Sequence, residues 1–254
     1  ANENGSPYAT VGFQVSDGTA FSVASSTLTV TVTAVNDAPT STDDSVTTAE
    51  DTAKVLALTD FGTFADVDGD ALASIKITTL ASDGSLQYYN GTSWVAVTLN
   101  QVVTAADITA GKLRFLPDAN ENGSPYATVG FQVSDGTAFS VAANTLTVTV
   151  TAVNDAPTST DDSVTTAEDT AKVLALTDFG TFADVDGDAL ASVKITTLAS
   201  DGALQYYNGT SWVAVTLNQV VTAADITAGK LRFLPDANEN GSPYATVGFQ
   251  VSDG

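Results

Sequence analysis

Between Thr27 and Thr33 the chain alternates threonine with Leu28, Val30 and Val32, so the segment has one apolar and one polar face. A two-residue period of this kind predicts a β-strand buried on one side. The same alternation runs through Val129–Val133 and Ile75–Ile77. In Leu86–Val97 the pair Asn90-Gly91 separates two apolar-rich runs, which predicts a hairpin closed by a tight turn. Further turn pairs stand at Asp68-Gly69, Asp83-Gly84, Asn122-Gly123 and Asp135-Gly136. The one helical pattern is Thr104–Gly111, a single turn with Thr104 as its cap and Gly111 as its close. The predicted strands are A at 45–49, B at 53–58, C at 71–79, D at 86–89, E at 112–116, F at 127–134 and G at 145–151. About seven short strands in about 100 residues predict an all-β, immunoglobulin-like sandwich. Leu86, Trp94, Phe115, Phe131 and Val133 are its expected core.

The whole pattern repeats. ANENGSPYATVGFQVSDG occurs at 1–18, 119–136 and 237–254, a period of 118 residues. Residues 19–136 and 137–254 differ only at Ser25/Ala143, Ser26/Asn144, Ile75/Val193 and Ser85/Ala203. The period is too long for a solenoid unit of about 20–50 residues and fits one independently folding domain. Near-identity at core and loop positions alike points to recent duplication within a longer array, or to an engineered concatemer. The expected organisation is the C-terminal part of a first repeat at 1–36, a complete repeat at 37–154, and a second repeat at 155–254 that lacks its last strand. The linker Val153-Asn154-Asp155-Ala156-Pro157 copies Val35–Pro39.

Charge narrows the function. Each period carries fourteen acidic side chains against Lys54, Lys76, Lys112 and Arg114, and the chain's net charge is −22. Nucleic acid and anionic membranes repel such a surface, so neither is an expected partner. No apolar run approaches membrane-spanning length, and membrane insertion is not expected. The sequence contains no Cys and no His, which removes disulfides, thiolate chemistry and Ser-His triads. Paired carboxylates alone remain for a glycosidase, but nothing in the repeat marks a cleft, and no enzymatic activity is expected.

Antiparallel traversal sorts the loops between two poles. The A–B loop (Glu50, Asp51) and the E–F loop (Asp118 to Gly123) fall at the C-terminal pole. The B–C loop (Asp66, Asp68, Asp70) and the F–G loop (Asp135) fall at the N-terminal pole. Nine of the fourteen acids of a period lie in these loops or in the linker: Asp37, Glu50, Asp51, Asp66, Asp68, Asp70, Asp118, Glu121 and Asp135. Converging carboxylates repel unless a cation joins them. Calcium is the expected cofactor, because it takes six to eight oxygen ligands in flexible geometry. Magnesium prefers strict octahedra, and zinc favours the His and Cys that are missing. The loop is no EF-hand, because Ala71 and Ile77 stand where that motif needs Gly and Glu.

The ordered set VNDAPT, AEDT, DVDGDAL, DANENG and VSDGT resembles the bacterial cadherin-like and immunoglobulin-like repeats of giant RTX-type adhesins. The resemblance covers the full period. It implies tandem cadherin-like sandwiches, secretion to the bacterial surface, a biofilm role as an extender, and calcium at the linkers. Cadherin junctions share calcium among a Glu of one domain, an Asx-rich linker and a D-x-D of the next. That layout implies Glu50 in the first role, Asn154 and Asp155 in the second, and Asp184 and Asp186 in the third, with Asp188 and Asp253 beside them. Asn36 and Asp37 are the copies of the linker pair, while Asp118-Ala119-Asn120-Glu121 matches the cadherin acidic motif only loosely, with Asp118 and Asn120 as its candidate ligands. The expected partners are calcium ions and neighbouring repeats of the same polypeptide, with no obligate oligomer. A glycan- or protein-binding adhesive module is the alternative function. Tyr88, Tyr89 and Trp94 suit a sugar-stacking platform, although cross-strand aromatic packing on a hairpin is the commoner cause of such a cluster. Asp43-Asp44 is expected to be a solvated pair at a strand edge, and Asp60, Asp83 and Asp107 are expected to serve turns or caps.

Overall fold

A computed structural model describes residues 2–254, and the chain divides into two compact units, 1–153 and 154–254. The first residues form an antiparallel hairpin of β1 (Gly5–Phe13) and β2 (Ser26–Val32), a two-stranded sheet exposed along nearly its whole length.

The rest of the first unit is a two-layer sandwich. Its strands are β3 (Asp44–Ala49), β4 (Lys54–Val55), β5 (Ser74–Thr79), β6 (Ser85–Tyr89), β7 (Trp94–Ala96), β8 (Val102–Thr104), β9 (Leu113–Leu116), β10 (Gly123–Ser134) and β11 (Asn144–Thr151). One sheet has the order β3-β11-β10-β5-β8 and the other β4-β9-β6-β7. β11 is the keystone of the first sheet: it pairs antiparallel with β10 and parallel with β3. Alternation puts Ile75 and Ile77, Val129, Phe131 and Val133, and Leu146, Val148 and Val150 on the inner face. Leu113, Phe115 and Leu86 come from the opposite sheet, and all of these are buried. Phe61, from a 3-10 turn at Leu58–Phe61, meets Phe131 edge to face with centroids 5.2 Å apart. The expected strands are therefore present, with strand B shortened to two residues before that turn, β7 forming the second arm of the expected hairpin, and β8 added. Trp94 is the exception in the expected core. It stands half-buried on the outer face, under Arg114 at 4.1 Å and against Tyr89 at 5.5 Å, because hairpin alternation turns it away from Leu86.

The single helical turn α1 (Ala105–Thr109) is local in origin. The Thr104 hydroxyl accepts the Asp107 amide at 3.1 Å, and Gly111 follows at φ +71°.

The second unit contains β12 (Lys172–Val173), β13 (Ser192–Thr197), β14 (Ala203–Tyr207), β15 (Trp212–Ala214), β16 (Val220–Thr222), α2 (Ala223–Thr227), β17 (Leu231–Leu234) and β18 (Gly248–Ser252). Its sheets have the orders β12-β17-β14-β15 and β16-β13-β18. No counterpart of β11 stands among its described residues. The segment 162–167, identical to β3 in sequence, is coil here, and 241–247, the counterpart of the first half of β10, is likewise not a strand. Val247 and Phe249 are only partly buried, whereas Val129 and Phe131 are 0% exposed.

Candidate functional site

At the N-terminal end of the first sandwich the loop Asp66-Val67-Asp68-Gly69-Asp70 folds around its own first carboxylate. Asp66 Oδ1 accepts the amides of Asp68 at 2.9 Å and Asp70 at 3.1 Å. The linker closes on this loop: the Asp37 amide donates to Asp68 Oδ2 at 2.8 Å, and the Asn36 side chain donates to Asp135 Oδ2 at 3.0 Å. Asp135 Oδ1 also accepts the amides of Thr137 and Ala138. The Ala138 amide, then the Asn36 amide and the Thr137 amide, hold the Asp135 carboxyl below the usual carboxylate range. The second unit repeats the arrangement. Asp155 donates its amide to Asp186 Oδ2 at 2.7 Å, Asn154 donates to Asp253 Oδ2 at 2.6 Å, and Asp188 donates its amide to Asp184 Oδ1 at 3.0 Å. In both units one oxygen is left over: Asp66 Oδ2 and Asp184 Oδ2 are buried without a hydrogen-bond partner.

The other end of the first sandwich is built on Glu50, directly after β3. Its amide donates to the Thr151 carbonyl at 3.0 Å, and its Oε1 accepts the Val153 amide, so it grips both the end of β11 and the start of the linker. Glu50 is 2% exposed and its Oε2 has no hydrogen-bond partner. Next to it, Asp51 adopts φ +56° and accepts the Asn120 amide at 3.0 Å, which ties the A–B loop to the E–F loop. Asp118 joins a different group: Asp83, Asp118 and Glu121 bring carboxylate oxygens within 4.8 Å of one another, and Asp201, Asp236 and Glu239 do the same in the second unit. All six are exposed. Tyr126 links this group, accepting the Asp118 amide and donating to Glu121, both at 3.1 Å. Burial, first of all, pushes its hydroxyl up to about 12. Asp83, Asn120, Glu121 and Tyr126 border a cleft of about 440 Å³.

In the first unit the linker residues Asn36 and Asp37 thus bond the F–G and B–C loops at Asp135 and Asp68, and Asp51 of the A–B loop bonds Asn120 of the E–F loop. Sequence reasoning placed Asp83 only in a turn, although the C–D loop shares the pole of the A–B and E–F loops by the same strand count. It does serve the turn as well, accepting the Gly84 amide at 2.9 Å. Asp60 does cap, accepting the Ala57 amide at 2.8 Å, whereas Asp107 sits in the first turn of α1 with Thr104 as the cap, and its carboxylate accepts from Lys112 and Tyr88. The pair Asp43-Asp44 is not merely solvated. Asp43 accepts the Thr145 amide at 2.8 Å and Asp44 accepts the Gly62 amide at 3.3 Å, so they cap backbone donors at the edge of the sheet.

Three of the first unit's four basic side chains are committed to faces of the sandwich. Lys112 pairs with Asp107 at 2.7 Å, Arg114 covers Trp94, and Lys76 lies 4.4 Å over Phe139. Arg114 also covers the ring that a sugar would stack on.

No curated protein matches the chain. Among solved structures, an endo-fucoidan hydrolase of glycoside hydrolase family 107 aligns with 96% of the chain at 17% identity, with a TM-score of 0.28. The chain spans a third of that hydrolase; at this TM-score the likeness carries no argument about fold or activity. The bacterial Ig domain family matches twice, over residues 36–151 and 154–254, and the matches cover nearly the whole of the two repeats. The two-layer all-β sandwich, its tandem near-identical copies and this double match together establish that the chain belongs to the bacterial Ig domain family.

Proposed function

We propose that these repeats form a non-catalytic extender of a secreted bacterial surface adhesin, an array that calcium stiffens at the ends of its repeats. Domains of this family are typically non-catalytic, and tandem copies suit a spacer. No helix among the described residues is long and apolar enough to cross a membrane.

The observation that carries the calcium reading is Glu50. A carboxylate that is 2% exposed with one oxygen unpaired is costly in a low-dielectric site, by about 1–3 kcal/mol or more for the missing partner. Asp66 Oδ2 and Asp184 Oδ2 pose the same deficit at the other end of a repeat. The available donors are carboxylate, Asn and backbone oxygens, which fits calcium and not zinc. In this reading Glu50, Asp51, Asp118 and Asn120 serve one end. Asn36, Asp37, Asp66, Asp68, Asp70 and Asp135 serve the other, as do Asn154, Asp155, Asp184, Asp186, Asp188 and Asp253 in the second unit. The bound ion supplies charge neutralisation and cross-linking. The protein's own contribution is pre-organisation: the Val153 and Asp155 amides already hold the linker against Glu50 and Asp186.

Calorimetric titration of calcium into the whole chain tests this reading, with Glu50→Gln and Asp66→Asn as comparison variants. Binding by the parent and loss of at least one site in each variant is expected. No heat of binding from the parent, or full stoichiometry in both variants, overturns it.

A further inference from the structure

The acidic side chains of a repeat avoid one of its two sheets. The strands β4, β9, β6 and β7 read KV, LRFL, SLQYY and WVA, so this sheet carries no carboxylate in a chain that has 30. Register sets Gln87 opposite Arg114 and Tyr89 opposite Trp94, and alternation turns Gln87 and Arg114 away from the buried Leu86 and Phe115. The Arg114 guanidinium lies 4.1 Å over the Trp94 ring, and its Nε donates to Gln87 Oε1 at 2.9 Å. Tyr89 braces the same ring, with centroids 5.5 Å apart. The second unit repeats every contact: Arg232 lies 4.0 Å over Trp212, its Nε donates to Gln205 at 2.9 Å, and Tyr207 stands 5.5 Å from Trp212.

We propose that this outer face binds the carboxylate of an acidic sugar at the end of a short glycan, with one site in each repeat. What the face offers a ligand is a set of donors. Among the described residues Arg114 forms no salt bridge, and the bond from Nε is its one side-chain hydrogen bond, so both Nη groups are uncommitted. Gln87 uses its side-chain oxygen on Arg114 and keeps its NH2 group, and the Trp94 indole N–H has no partner among the described residues. A guanidinium fork beside an amide NH2 matches the two oxygens of a carboxylate, and a set of donors without an acceptor favours an anion over a neutral ligand. The Trp94 ring and Gln87 already hold the guanidinium plane, so binding immobilises little that was mobile. Val55, paired opposite Arg114 and 52% exposed, and Tyr89 flank the guanidinium with apolar surface that suits the C–H faces of a sugar ring. An extended polyanion or an acidic peptide meets the repulsion of the chain's net −22, whereas a single terminal carboxylate meets a sheet without acids. The site is separate from the repeat ends and does not depend on calcium there.

The chain's two tryptophans, Trp94 and Trp212, both stand at these sites and report on them directly. A glucuronate-terminated disaccharide titrated into the whole chain in calcium-free buffer, followed by the indole N–H signals, tests the proposal. Saturable shifts of both signals are expected. The uncharged uronamide of the same disaccharide, acetate and a tetra-aspartate peptide should each bind at least about fivefold more weakly. Arg114→Lys combined with Arg232→Lys keeps the charge but removes the planar fork, and it should abolish the saturable shifts while the chain unfolds as the parent does. Gln87→Glu combined with Gln205→Glu gives each guanidinium a carboxylate of its own and should have the same effect. The absence of saturable shifts in the parent overturns the proposal. So does a uronamide, acetate or peptide that binds as tightly as the disaccharide, or either double variant binding as the parent does.

Discussion

The Asn154 side-chain amide donates to Asp253 Oδ2 at 2.6 Å, joining a linker residue to the loop after β18 across 99 positions of sequence. Asn36 does the same for Asp135 at 3.0 Å. The two aspartates nevertheless differ in what holds them. The Asn154 amide is the largest cause that lowers the Asp253 carboxyl, whereas at Asp135 the Ala138 amide comes first and Asn36 second. Asn154→Ala is therefore expected to raise the titration midpoint of Asp253 more than Asn36→Ala raises that of Asp135. Carboxyl-carbon NMR titration of both variants checks this; equal shifts contradict it.

Calcium removal bears on the extender reading directly. With EDTA the maximum dimension in small-angle scattering should fall while the β-sheet circular dichroism persists, because the ion joins repeat ends and the sandwich cores are apolar. Replacing Asp184 and Asp186 together by Ser should reproduce part of that change in calcium. Apparent stability should also rise with calcium by mass action, about 2.7 kcal/mol at a hundredfold excess over the dissociation constant. An unchanged maximum dimension in EDTA would rule out calcium stiffening.

Phe131→Ala removes a ring that is fully buried against Phe61, and a loss of about 3–5 kcal/mol is expected. Phe249 makes the same edge-to-face contact with Phe179 at 5.2 Å but is only partly buried, so Phe249→Ala should cost less. Chemical denaturation of the chain followed in both variants distinguishes the two; equal losses would mean that the second core is as closed as the first.

Gly62 ends the 3-10 turn at φ +73°, and a Cβ placed there would overlap the Thr42 carbonyl oxygen. Both the backbone region and the contact penalise any other residue. Gly62→Ala should destabilise the first sandwich by more than about 1 kcal/mol. A melting temperature unchanged from the parent's would refute this.

Asp107 accepts the Lys112 ammonium at 2.7 Å and the Tyr88 hydroxyl at 2.9 Å, and these hold its carboxyl below the usual range. A carboxyl lowered on folding stabilises the fold above its unfolded value of about 3.9, and that contribution disappears as pH falls through the folded value. The stability difference between the parent and Asp107→Asn should therefore be constant near neutrality and shrink below about pH 4. Denaturation at a series of pH values checks it. A difference that persists undiminished in acid would show that packing, and not the carboxylate, is responsible.

Much of the candidate site was legible from strand order, because up-and-down traversal of a sandwich sends alternate loops to the same end. That argument grouped Asp51 with the loop that holds Asn120, and Asp68 with Asp135, before any distance was known; that Asn36 and Asp37 bond Asp135 and Asp68 came from the structure. It stopped short at Asp83, whose Asp-Gly pair read only as a turn, and at Glu50, whose burial depends on β11 and the linker folding over it. Trp94 was misplaced for a related reason: alternation tells which residues share a face, but not which face of a short outer hairpin meets the core.

The sharpest division lies between identical segments. Thr-Ala-Ala-Asp-Ile-Thr forms the same capped turn at α1 and α2, since Thr104 and Thr222 each satisfy an amide three residues away. Local hydrogen bonds make such elements a property of the sequence alone. DSVTTA is a strand at 44–49 and coil at 162–167, and TLTVTV is buried in β11 and exposed in β2. The alternation determined that these segments are able to be strands with one apolar face. Only the tertiary structure decided which became paired and buried, because a strand's hydrogen bonds and its core contacts are both supplied by another part of the chain.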